Sequence, residues 1–251
     1  MRKFLAYLIL AASLAGCQSS PTATESGNKP APAPAPSTDS SNPPKAGEPD
    51  KPAADAASVP ASLKHEGYVY YGLESGKDHD LEIRTSTNPT VYTGSQKAVL
   101  TGVKDGKATY SLERTGGLAD MLGKSQDVVV DENGVQAVSI EGEKIEPAQT
   151  ELPAQMTTGK TWTSKAKFTL KGQSFETDTV FKVVGPRKVK TKLGEFDSIL
   201  VTSEGSNIVG GQKLMISAKA WYVKGMGEVR IEMTSKDEKG KEANVTVEAV
   251  K

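Results

Sequence analysis

The chain has 251 residues, with 31 basic and 31 acidic side chains, 36% hydrophobic residues and a single cysteine. This charge balance leaves no electrostatic footprint for nucleic acid, and one cysteine excludes an intramolecular disulfide. Ten of the fourteen prolines fall between Pro21 and Pro60. The reading is therefore a leader and a tether ahead of one domain of roughly 190 residues, large enough to bury its own core.

Residues 1–16 read as a signal peptide. Arg2 and Lys3 supply the positive start, and Phe4 to Ala12 is an unbroken apolar run. That run is far shorter than the ~20 residues of a membrane-spanning helix. Leu14-Ala15-Gly16-Cys17 closes it and resembles the lipobox of bacterial lipoprotein precursors. The resemblance implies that the Cys17 thiol accepts a lipid, and that cleavage before Cys17 frees an amine for a further acyl chain of the palmitate type. Two or three such chains anchor a protein to a membrane firmly, at ~0.8 kcal/mol per buried CH₂. Gln18 is not the aspartate that such sorting rules read as inner-membrane retention, so the outer membrane is favoured in a host that has one.

Residues 17–60 comprise Cys17 and a stretch of Pro, Ala, Ser, Thr, Gly and Asp with Pro30-Ala31-Pro32-Ala33-Pro34-Ala35-Pro36 at its centre. Val59 is its one branched or aromatic apolar residue. Such a segment buries too little apolar surface to offset the entropy of ordering. The expectation is a disordered, partly polyproline II tether that reaches on the order of 130 Å when stretched.

From residue 61 to 251 the pattern is mostly β. Tyr68, Val69, Tyr70 and Tyr71, between Gly67 and Gly72, read as a strand. Hairpins follow in series. The first joins residues 97–103 to 108–113 through Asp105-Gly106. The second joins 127–131 to 135–140 through Asn133-Gly134. The third joins 163–170 to 175–184 through Gly172. In the third, Ala166, Phe168 and Leu170 alternate with Lys165, Lys167 and Thr169, the period-two signature of a sheet with one wet face. Two further hairpins span 188–202 and 215–233, and residues 244–250 supply a last strand. The basic run Arg187, Lys188, Lys190 and Lys192 reads as the solvated face of a strand. Residues 118–124 are the one helical turn expected. The fold class is a single antiparallel curved sheet or half-open β-barrel built from successive hairpins.

Gly159-Lys160-Thr161-Trp162, then Gly194-Glu195-Phe196-Asp197-Ser198-Ile199, then Trp221-Tyr222-Val223-Lys224-Gly225-Met226-Gly227-Glu228-Val229 resemble the corresponding segments of a group of uncharacterised exported bacterial β-domains. Members of that group are similar in outline to periplasmic lipoprotein and lipid carriers. The resemblance covers about residues 150–235 and implies a long curved sheet with an apolar concave side. Trp162, Trp221 and Tyr222 are the aromatics to watch, either as core packing or as the lining of a ligand groove. Trp221 and Tyr222 are adjacent on a strand and should face opposite sides.

No motif announces an enzyme, a cofactor or a metal. Residues 154–161 loosely fit a phosphate loop, but an alternating strand follows where a helix is required. Asp78-His79-Asp80 reads as a polar turn. An acid pair such as Glu74 and Asp80 is unremarkable among 31 acids. The leading expectation is a non-enzymatic, membrane-anchored envelope lipoprotein that binds an apolar or envelope-derived ligand in a concave sheet. The alternative is a structural or interaction lipoprotein contacting an envelope protein or cell-wall partner. A carrier needs a continuous apolar pocket of several hundred cubic ångströms, whereas an interaction module shows a filled core and an exposed apolar patch.

Overall fold

In the computed structural model, residues 58–74, 78–170 and 172–250 are described. The signal peptide, Cys17 and the tether up to residue 57 lie outside them. A 3₁₀ turn (Ala61–Leu63) and helix α1 (Glu66–Tyr71) precede the sheet. The strands are β1 (His79–Thr85), β2 (Asn88–Lys104), β3 (Lys107–Arg114), β4 (Ser125–Asp131), β5 (Gly134–Ile140) and β6 (Glu143–Pro153). They continue with β7 (Thr161–Leu170), β8 (Gln173–Thr191), β9 (Gly194–Val209), β10 (Gln212–Val223), β11 (Gly227–Asp237) and β12 (Glu242–Ala249). Helix α2 (Gly116–Leu122) lies between β3 and β4.

Every strand pairs antiparallel with its neighbours in sequence, and β12 returns to β1 from Leu81↔Ala249 to Thr85↔Val245. The sheet is thus a closed twelve-stranded meander, more closed than the half-open barrel or curved sheet read from sequence. Closure leaves neither β1 nor β12 as a free edge, and a hairpin-by-hairpin reading has no means of seeing it. The joint between β6 and β7 is the thinnest, bridged at Glu146↔Lys167. Across it the Trp162 indole N–H donates to the Thr150 carbonyl at 3.1 Å.

Outward positions carry charge. Lys165 sits opposite Asp178 at 2.8 Å, and Lys167 opposite Glu176 at 3.0 Å. Such cross-strand pairs add little stability when exposed, but they fix which face of the hairpin is wet. Inward positions are apolar, as with Phe168 stacked on Phe175 at 5.0 Å. This polarity is the reverse of a membrane-spanning barrel with a lipid-facing apolar band.

The segment Tyr68–Tyr71, read as a strand, is helix α1. A short apolar run suits a buried strand or a buried helix equally, and the ends decide here. His65 caps the helix by accepting the Tyr68 N–H on Nδ1 at 3.1 Å, and Gly72 ends it in the left-handed conformation. The helix crosses one mouth of the barrel. Gly67 donates to the Ala154 carbonyl just past β6, and Val69 accepts from Gly225 just past β10. Tyr68 is 1% exposed, and its hydroxyl meets that of Tyr110 at 3.0 Å.

Asp78-His79-Asp80 is not a turn, since His79 and Asp80 open β1. The loop over residues 154–160 runs directly into strand β7 with no helix, which removes the phosphate-loop geometry.

Candidate functional site

Inside the barrel lies a cavity of about 190 Å³. Small side chains make the room. Ala98, Ala218 and Ala220 occupy inward positions in its wall, where β-branched or aromatic residues would fill the lumen. Leu81, Ile83, Ile216, Ile231, Val245 and Val247 line the apolar side.

The other side is polar and charged, and its residues come from distant parts of the chain. Arg114 closes β3 in phase with the buried Ala108, Tyr110 and Leu112, so its side chain points inward and the residue is only 8% exposed. Neutral oxygens hold it: Nε donates to Gln96 Oε1 at 2.7 Å, Nη1 to the Leu122 carbonyl at 3.2 Å, and Nη2 to Gln126 Oε1. Burial lowers its pKa, because a charge withdrawn from water is disfavoured.

Two carboxylates share the lumen, each beside an irregularity in its strand, Glu151 on the inward phase of Ile145 and Gln149. Pairing along β5 and β6 steps from Val135↔Leu152 to Gln136↔Thr150, leaving Glu151 as the extra residue of a bulge. Along β10 and β11 it steps from Trp221↔Arg230 to Tyr222↔Glu228, so that Val229 is extra. That second bulge brings Glu228 to the cavity wall alongside Ile231 and Met233. Bulges re-aim side chains in this way. The Tyr222 hydroxyl donates to Glu228 Oε2 at 3.1 Å. No hydrogen bond or ion pair within 4 Å reaches the Glu151 carboxylate among the described residues.

Burial pushes the Glu151 carboxyl up to about 7, against the opposing pull of Arg114. Burial also pushes Glu228 up to about 8, with Glu151 adding to the rise while the Tyr222 hydrogen bond and Arg114 oppose it. Tyr71, at the end of α1, and Tyr222 are raised well above the ordinary tyrosine value, chiefly by burial and then by these carboxylates. Gln149 Oε1 and Thr177 Oγ1, both in the cavity wall, have no hydrogen-bond partner among the described residues.

Of the three aromatics singled out from sequence, Tyr222 lines the cavity and Trp221 does not. Trp221 packs, partly buried, against the main core. Trp162 stands one layer back, stacked at 5.1 Å on Phe181, which does line the cavity. Arg114, Glu151, Glu228 and Tyr71 were not singled out. The available signal was a charged residue on the apolar phase of β3. Among the described residues no group of three or more His, Cys, Asp or Glu side chains is placed to hold a metal ion, and no helix is long and apolar enough to cross a membrane.

No family model matches the chain, and no curated protein matches its sequence. Solved structures do. A protein from Bacteroides fragilis NCTC 9343, described as exported and of YmcC-like fold, aligns with a TM-score of 0.51 at 12% identity, over 70% of this chain and 95% of its own. The barrel has the fold of that protein. A Parabacteroides distasonis ATCC 8503 protein described as a lipoprotein aligns at 0.48 and 12% identity, over 72% of this chain and 97% of its own. The hypothetical lipoprotein YmcC of Escherichia coli K12 aligns at 0.34 and 9% identity, over 74% and 90%.

Proposed function

We propose that the chain is an exported envelope lipoprotein, anchored through Cys17, whose barrel binds one small ligand in its lumen without chemical conversion. The observation that carries this reading is the cavity of about 190 Å³ with an apolar wall facing Arg114, Glu151, Glu228 and Tyr222. It is smaller than the ~300–1,000 Å³ of drug-sized pockets, so the occupant is compact and amphiphilic rather than a whole lipid. The lipobox Leu14-Ala15-Gly16-Cys17 supports the anchor, Gln18 supports the outer membrane, and the Bacteroides fragilis protein of the same fold is described as exported.

The runner-up, an interaction module, calls for a continuous exposed apolar patch. Among the described residues, the exposed large apolar side chains are Val91, Val180, Leu193 and Met215, on β2, β8, the β8–β9 turn and β10, and single residues of this kind are ordinary surface. A two-carboxylate hydrolase needs its acids driven apart, one ionised and one protonated. Here both are pushed the same way.

Native mass spectrometry of the mature, acylated full-length chain tests the proposal. One small molecule per chain is expected, lost in Ala220→Phe, which fills the lumen. An empty wild-type chain whose melting temperature no envelope small-molecule extract moves would overturn it. Labelled palmitate should enter the wild type and not Cys17→Ser.

A further inference from the structure

The polar side of the lumen is unequal in what it offers. The guanidinium of Arg114 already gives three N–H groups to Gln96, Gln126 and the Leu122 carbonyl, so its donors are largely spent on the wall. The acceptors are not. Glu151 has no hydrogen-bond partner among the described residues, Glu228 receives a single hydrogen bond, from Tyr222, and Gln149 Oε1 is buried and unpaired. Charge counting points the same way. One guanidinium balances one carboxylate, and a second carboxylate in a low-dielectric lumen must find another cation or take up a proton.

Resting on the lumen reading above, we propose that the ligand is a small organic cation, a primary ammonium on a short hydrocarbon body. Its head lies between Glu151 and Glu228 and its body against the wall of Ile216, Ile231, Val245 and Val247. An ammonium brings three donors and no acceptor, which complements a site rich in acceptors. The other titratable groups that line the same cavity are Arg114 from β3, Tyr71 from α1, Tyr222 from β10 and His79 from β1. Burial holds protons on both acids into the neutral range, so entry of the cation displaces protons, and affinity rises from pH 6 to pH 9 while the amine itself stays charged.

The test is calorimetric titration of the full-length mature protein with hexylamine, hexanoate and hexanol, which share a body and differ in the head. Hexylamine should bind at least tenfold more tightly than the other two at pH 8. Glu151→Gln and Glu228→Gln should each weaken it at least tenfold, with circular dichroism confirming the fold, while Glu176→Gln on the outer face leaves it unchanged. Tightest binding of hexanoate would place an anion on Arg114 and overturn the cation assignment, leaving the lumen reading intact. Amine binding indifferent to both lumen substitutions would overturn it too. A resident anion or neutral molecule in the native mass spectrum, with no probe bound, has the same meaning. No probe bound and an empty chain would end both readings.

Discussion

Glu228→Gln should make the protein more stable at alkaline pH, against the usual cost of substituting a partly buried residue. The Glu228 carboxyl is held at about 8 instead of its ordinary 4.5. In this window the folded state binds more protons than the unfolded state, so folding stability falls as pH rises from about 4.5 to 8. At ~1.4 kcal/mol for each tenfold change, the full penalty approaches about 5 kcal/mol above both values. The amide keeps the shape of the side chain, and its oxygen still accepts from Tyr222, so little offsets the gain. Allowing for lumen solvent and the coupling to Glu151, roughly 2–4 kcal/mol should appear at pH 9, and less than about 1 kcal/mol at pH 5. For a domain of this size that is a rise in melting temperature on the order of 10 °C. Urea denaturation of wild type and variant at pH 5, 7 and 9 measures it, and a constant m-value certifies that both unfold alike. Comparing the two chains at each pH cancels the titrating groups that are not coupled to Glu228. A variant no more stable than wild type at pH 9, or a gain independent of pH, would mean that Glu228 is ordinarily solvated and that the lumen holds no excess negative charge.

Three further outcomes follow from the same geometry. Arg114→Met strips the cation from Glu151 and Glu228 and the donors from Gln96, Gln126 and the Leu122 carbonyl. It should cost about 3–5 kcal/mol by urea denaturation, more at pH 9 than at pH 5. Gly72 ends α1 at φ +78°, and a Cβ there would lie 2.6 Å from the Gly227 backbone nitrogen. Gly72→Ala should therefore cost about 2–3 kcal/mol and speed hydrogen exchange in α1. Tyr68→Phe removes the buried bond to the Tyr110 hydroxyl and should cost about 1–2 kcal/mol in the same denaturation assay.

The hairpins were legible because their signals are local. Asp105-Gly106 forms the tight turn between β2 and β3, the second hairpin turns one residue earlier than read, at Glu132-Asn133 with Gly134 opening β5, and the alternation around Phe168 and Phe175 survives as inner and outer faces. Closure was not legible, because it depends on β12 meeting a strand about 160 residues earlier in the chain. The signal of β1 itself, Leu81 and Ile83 alternating with Glu82 and Arg84, is too short to stand without that partner. Tyr68–Tyr71 misled for a related reason. Aromatic content argues strand, but His65 and Gly72 set helical ends and the barrel mouth gives the tyrosines somewhere to bury, so packing overrides propensity.

The lumen chemistry was hidden by the devices that create it. Arg114 sits on the regular inward phase of its strand, and there the sequence does carry a clue: charge where Ala108, Tyr110 and Leu112 predict an apolar residue. Glu228 is aimed by a bulge, and a bulge breaks the period-two pattern that a strand reading relies on. In a plain alternation Glu228, like Arg230 and Glu232, would belong to the wet face, and the extra residue Val229 moves it to the lumen. The same break puts Glu228 within reach of Tyr222, the one residue of the site that sequence had marked, so the aromatic segment around Trp221 is informative less for its rings than for the irregularity beside them. Barrels that hold a charged group inside an apolar lumen should therefore be searched for at breaks in alternation and at charges on the core phase, since regular alternation by itself assigns such residues to solvent.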